Sequence, residues 1–311
     1  MPSRRDAIQC AVAAALSPLA AAPRHAAMRQ ESATLGTIRA VTITADHLQP
    51  TEEAWTKFMG YHVVSRGALP RGTAESWDAP RLAGKSFVIL GPASGEPTYV
   101  RFVEQPTPAD AMTERTLGWT TTEITVQNAD DLYERLHDSP FKVRRPPAQI
   151  PTYPYLRAMQ ALGPAGERLN LTWITEPRAD LAVAKSFVGR CFIAVLGAPD
   201  LPDALKFYKA RFGTTPSAIR QLPSLRLAVV PLDDGTKIEV DHFGPRAQRR
   251  TRPDGGLPVG LAVVTFECSR LDALRDRFVS HPGTTALEPH SPRRSVTVRG
   301  PAGELLELLE T

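Results

Sequence analysis

Glu239 and Asp241 stand two apart in Lys237–His242, a stretch that alternates like a β-strand. Residues two apart on a strand share a face, so their carboxylates project together. Acidic groups crowded in a partly buried site do not all ionise, and one keeps a proton near neutral pH. A carboxylate beside a carboxylic acid suits proton abstraction next to a carbonyl, or a lyase or isomerase step. The plainer reading is an edge strand with one of the two acids in solvent. Thiol chemistry has little to work with. Cys10 lies in the N-terminal region, and Cys191 and Cys268 sit in apolar strand-like runs as buried thiols, too few for a disulfide framework or a thiolate metal site.

A repeat organises the elements that must position these acids. Gly163-Pro164-Ala165-Gly166-Glu167-Arg168-Leu169-Asn170-Leu171 returns at the chain end as Gly300-Pro301-Ala302-Gly303-Glu304-Leu305-Leu306-Glu307-Leu308. Pro followed by Gly suits a type I turn closed by a left-handed glycine, and the flanks alternate as hairpin strands do. The copies differ where Asn170 answers to Glu307. Between them the pattern strand–helix–three strands runs four times. It starts at 38–44 with a helix over 50–59, at 120–126 with a helix over 130–137, at 192–196 with a helix over 202–212, and at 260–267 with a helix over 271–278. A longer loop, 67–84, carries Trp77, and the segment 176–187 reads as an interdomain connection. Arg246, Arg249, Arg250 and Arg252 crowd the loop 244–256, which reads as a solvated connector.

The chain of 311 residues is long enough for two cores, and its net charge of +4 gives no clustered basic stripe to suggest nucleic acid. No apolar run after the N-terminal region is long enough to cross a bilayer. Residues 1–27 open on Arg4-Arg5, continue through a small-residue apolar stretch and end Ala-rich. This resembles a twin-arginine export signal, which would place the protein in the periplasm; the alternative is an Ala-rich arm on a cytoplasmic protein.

Asp200-Leu201-Pro202-Asp203-Ala204-Leu205-Lys206-Phe207-Tyr208 followed by Phe212-Gly213, the run Leu271-Asp272-Ala273-Leu274 after Glu267, and both Gly-Pro-Ala-Gly turns resemble the vicinal oxygen chelate superfamily of glyoxalase, bleomycin-resistance and extradiol-dioxygenase proteins. The resemblance implies an α+β fold of four βαβββ units paired into two domains with cup-shaped mixed sheets, residues 36–175 and 188–311. It also implies a divalent metal in each cup, held by His or Gln early and Glu late. Carried over, those positions are Ala40, Arg101, Thr121 and Asn170 in the first domain and Ile193, Glu239, Val263 and Glu307 in the second. None of the seven histidines falls on them. No metal or cofactor is therefore expected, and all-oxygen ligation in the second cup would favour Mn²⁺ or Mg²⁺.

On that basis the second cup gathers Glu239, Asp241 and Glu307 as the catalytic acids. The first cup is cationic, with Arg101, Asn170 and Thr121 clamping a carboxylate and Tyr99, Trp77 and Trp119 as flat walls. The expected function is a lyase or isomerase acting on a small organic acid or aromatic molecule. The alternatives are a small-molecule sequestration protein and a metal-dependent dioxygenase with displaced ligands. The expected partner is a small-molecule ligand, with no nucleic acid and no membrane insertion, in a monomer or homodimer.

Overall fold

The computed structural model describes residues 32–107, 115–288 and 291–311. The export-signal reading of residues 1–27 lies outside the described residues. Among the described residues no helix is long and apolar enough to cross a membrane.

Four units follow one another. The first holds β1 (Thr34–Ala45), α1 (Leu48–Ala54), β2 (His62–Ala68), α2 (Arg71–Ser76), β3 (Ser86–Gly91) and β4 (Tyr99–Glu104). The second holds β5 (Gly118–Val126), α3 (Ala129–Leu136), β6 (Lys142–Ile150), β7 (Tyr153–Leu162) and β8 (Arg168–Ile174). The third holds β9 (Val188–Gly197), α4 (Leu201–Phe212), β10 (Arg220–Gln221), β11 (Arg226–Pro231) and β12 (Lys237–His242). The fourth holds β13 (Leu261–Ser269), β14 (Gly283–Ala286), β15 (Pro292–Arg299) and β16 (Leu305–Glu310).

Local chemistry explains the helices. The Asp200 carboxylate accepts from the Asp203 backbone N–H at 2.8 Å and Pro202 occupies the first turn. Gly213 ends α4 at φ 64°, and Leu201, Ala204, Tyr208 and Phe212 face the core. Asn128 caps α3 in the same way. The fourth unit departs from the expected α-helix. Arg270 stands at the cap position with φ 54° and no capping bond, and a 3-10 turn over Leu271–Arg277 replaces the helix. The loop 67–84 is structured too, carrying α2 and a 3-10 turn at Pro80–Leu82. Both repeat turns form as expected: Gly166 and Gly303 take φ 78° and 82°, and each donates to the carbonyl of the turn's first glycine at 2.9 and 3.0 Å.

The strands make two curled eight-stranded sheets. One runs β14-β15-β16-β13-β1-β4-β3-β2, the other β10-β11-β12-β9-β5-β8-β7-β6. β1 pairs antiparallel with β13, and β5 with β9. The first unit therefore shares a cup with the fourth, and the second with the third. The expected pairing of successive units, 36–175 in one cup and 188–311 in the other, is corrected at the level of the sheets. Repetition tells what each unit is, whereas the partner of β1 depends on long-range packing that a repeat does not encode.

The faces of the two sheets turned away from the cup interiors share one apolar core. It contains Val41, Phe102, Phe266 and Leu308 from one sheet and Ile124, Leu171, Leu196 and Val240 from the other, with Trp55, Leu201, Tyr208 and Phe212 from the helical segments.

Candidate functional site

In every unit the first and last strands lie side by side in parallel. This places Thr42 beside Arg101, Glu123 beside Asn170, Val195 beside Glu239 and Thr265 beside Glu307. Thr42, Glu123, Val195 and Thr265 precede the caps His47, Asn128, Asp200 and Arg270 by the same spacing, so the four pairs are equivalent. The expected first-strand positions Ala40, Thr121, Ile193 and Val263 lie two residues earlier, on the same face.

The first–fourth cup is an ion pair under a lid. Glu307 is 1% exposed and Arg101 3%, and Arg101 donates to the Glu307 carboxylate at 2.8 Å. The same carboxylate accepts from Thr265 at 2.7 Å, Thr285 at 2.9 Å and the Trp77 indole at 3.1 Å. Arg101 also donates to the Thr42 hydroxyl at 2.9 Å and stacks on Trp77, 4.4 Å from the ring centroid. Burial alone would raise the Glu307 pKa, but Arg101 and the two threonine hydroxyls outweigh it and hold the group below its ordinary value. Above the pair, Leu69, Ala74, Trp77 and Leu82 pack on Val103, Val263 and Leu305 and fill the cup. The metal implied by the family resemblance does not fit here: a guanidinium lies among the four equivalent positions, and both oxygens of Glu307 already accept two bonds each.

This arrangement corrects several expectations. Arg101 belongs to one sheet, while Asn170 and Thr121 belong to the other, so no shared cationic clamp exists. Glu307 is likewise separated from Glu239 and Asp241. Trp77 covers Arg101 rather than walling a pocket around Asn170. Trp119 lies in the core between the sheets, donating its indole N–H to the Leu305 carbonyl at 2.8 Å. Tyr99 is in the first–fourth cup, with its hydroxyl bonded to Glu288.

The second–third cup is different in kind. Glu123, Glu239 and Asp241 are 0%, 1% and 5% exposed. Gln160 donates to the Asn170 side-chain carbonyl at 3.0 Å, which fixes the amide so that its NH₂ donates to Glu123 at 2.9 Å. The second Glu123 oxygen, Oε2, and Asp241 Oδ1 are buried with no partner. Burial pushes both acids well above the usual carboxylate range; for Asp241 the neighbouring Glu123 adds to it, while for Glu123 the Asn170 bond works against it. Lys237, on the face of Glu239, directs its ammonium to the Asp180 carbonyl. Ile193, Val195 and Leu227 pack in one apolar cluster with Tyr153 and Tyr155, whose hydroxyls are buried without partners. Thr121 is half-buried, between Val195 and Arg168 in the sheet. Among the described residues no group of three His, Cys, Asp or Glu side chains converges to hold a metal, so the acids form no ready chelate.

Glu123 is the residue that sequence reading missed. Counting back from the helix caps instead of aligning strand centres would have found it, because Asn128 is a recognisable cap.

No protein-family model matches the chain, and no curated protein matches it in sequence. Solved structures do match in shape. Glyoxalase I from Zea mays superposes with a TM-score of 0.63 at 16% identity, over 89% of this chain and 93% of that one. A putative dioxygenase from Bacillus subtilis superposes with a TM-score of 0.60 at 12% identity, over 89% of this chain and 86% of that one.

Proposed function

For a chain with the vicinal oxygen chelate fold of glyoxalase- and dioxygenase-like proteins, we propose that the second–third cup is an acid–base site for proton transfer on a small uncharged molecule. The observation that carries this reading is the pair of orphaned, buried carboxyl oxygens of Glu123 and Asp241. Buried polar atoms are nearly always satisfied, and exceptions concentrate where a ligand or reaction supplies the missing partner. Two interacting buried acids raised in this way give up their first proton only above neutrality, and in that singly ionised state one can accept a proton while the other donates.

A carbon acid next to a carbonyl meets both needs. The ionised carboxylate takes the C–H proton as the protonated acid gives its own to the carbonyl oxygen, yielding an enol. When the α-carbon bears a hydroxyl the enol is an enediol, and protonation of the former carbonyl carbon as the α-hydroxyl gives up its proton completes an isomerisation. A β-substituent instead leaves with its bonding pair as the enol O–H proton returns to the carboxylate, completing an elimination. Asn170, oriented by Gln160, fixes the Glu123 carboxylate. A carboxylate-bearing substrate is disfavoured because the expected clamp, Arg101, serves the other cup. The apolar cluster around Ile193 and Leu227 suits an apolar or aromatic body.

The test is hydrogen–deuterium exchange at carbon. Neutral aldehydes, ketones and hydroxyketones are incubated with the protein in D₂O and followed by proton NMR. Protein-dependent exchange should fall at least about 100-fold in Glu123→Gln and in Asp241→Asn, with both variants folded. Exchange unchanged in both variants would overturn the reading. Saturable binding without exchange would leave the cup a sequestration site.

A further inference from the structure

A second feature lies outside both cups, where α4 meets the turn between β15 and β16. Lys206, Phe207 and Arg211 from α4, Arg277 from the 3-10 turn, and Arg299 and Pro301 from the hairpin line a groove of about 330 Å³. That is the lower end of the range for small-molecule sites. Four cations face it against the single carboxylate of Asp203. Asp276 pairs with Arg211 at 3.0 Å and with Arg277 at 3.6 Å, and Asp78 pairs with Arg299 at 2.9 Å while also serving Arg252 at 3.0 Å. The Asp276 and Asp78 carboxylates are thus each divided between two guanidinium groups. Lys206 is exposed and takes part in none of these pairs.

The fold contains an internal control for this groove. α1 and the β7–β8 turn form the equivalent junction: Trp55 stands where Tyr208 does, and both side chains donate to the glutamate of the facing turn. Aligned on the caps His47 and Asp200 and on the repeated turns, Lys206 corresponds to Glu53, Arg211 to Phe58 and Arg299 to Leu162. Arg277 keeps a cationic counterpart in Arg135, but the scaffold builds this junction without the other three cations. Their presence at one copy is not a requirement of packing.

We propose that the groove binds a small phosphate ester, its phosphate dianion among Lys206, Arg211 and Arg299 and its apolar part on Phe207 and Pro301. Convergent guanidinium groups bind phosphate through paired hydrogen bonds, and a dianion uses several cations where a monocarboxylate neutralises one. The site is independent of the carboxylate cup, so either can fail alone.

The test uses the full chain, with phenyl phosphate as probe and benzoate as the monoanion control, at matched ionic strength in a titration calorimeter. Phenyl phosphate should bind saturably and at least tenfold more tightly than benzoate. The variants take residues from the equivalent junction. Lys206→Glu alone disturbs no ion pair of the groove, and Lys206→Glu with Arg299→Leu removes two of the cations. Affinity should drop at least threefold in the single variant and at least tenfold in the double, with unchanged circular dichroism. Absence of saturable binding up to about 10 mM probe, equal affinity for benzoate, or binding unaffected by Lys206→Glu would each overturn the proposal.

Discussion

At the scale of residues, a buried glutamate does opposite work in the two cups. Glu307 is a carboxylate held ionised by a guanidinium and three further donors, whereas Glu123 has one amide donor and an oxygen left over. Glu307→Gln should destabilise the fold by about 3–5 kcal/mol in chemical denaturation, because it strands the buried Arg101 charge. The double variant Arg101→Met with Glu307→Leu should recover most of that loss. The pair is also a pH device of definite sign. A carboxylate whose folded pKa is depressed contributes stability above its unfolded value and loses it as pH falls through the folded one, so Glu307 favours the fold at neutral pH and fails it in acid. Sequence showed Glu307 as the odd member of the repeat but could not show its partner, since Arg101 lies in another unit, 206 residues away.

At the scale of elements, the repeated turns do more than join strands. Glu167 accepts from the Trp55 indole at 2.8 Å and from the Ala165 N–H at 2.9 Å. Glu304 accepts from the Tyr208 hydroxyl at 3.1 Å and from the Ala302 N–H at 2.8 Å. Each carboxylate folds over its own turn, where a Cβ on Gly163 or Gly300 would sit 1.8 or 1.9 Å from it, which is why glycine opens both copies. Burial pushes both acids up to about 7, against the hydrogen bonds that lower them. The folded state then holds protons that the unfolded chain has released, so stability contributed by these groups is full below the ordinary carboxylate range and declines as pH rises to about 7. Glu167→Gln and Glu304→Gln should flatten that decline in melting temperature between about pH 5 and 7. The turn type and its glycines were legible in the sequence. The role of the glutamates was open to reading as well, because both copies carry them, but only the cross-unit partners Trp55 and Tyr208 give it meaning.

At the scale of the whole molecule, the two latches join different cups, since Trp55 and Glu304 come from the first and fourth units and Glu167 and Tyr208 from the second and third. Arg250 adds a third link, donating to the carbonyls of Trp119 in one sheet and Leu261 in the other, and so is not the solvated connector residue its loop suggested. Residues 32–187 expressed alone lack β13 and β9, the central partners of β1 and β5. That half should not give a cooperative thermal transition by circular dichroism, and co-expression with residues 188–311 should restore one. The four-unit α+β architecture was readable from hydrophobic period and repetition. Unit pairing was not, and the misplaced acids and clamp follow from it: Arg101 and Glu307 share a cup, as do Asn170, Glu239 and Asp241, in combinations that successive pairing forbids, whereas Trp119 was misplaced by the face of its strand. The proposed acid–base role of the second–third cup requires that its acids keep a proton at neutral pH. Infrared difference spectroscopy reads this directly. The wild type should show a protonated-carboxyl stretch at pH 7 that diminishes in Glu123→Gln and Asp241→Asn; the same band intensity in the wild type and both variants would contradict a protonated acid pair in this cup.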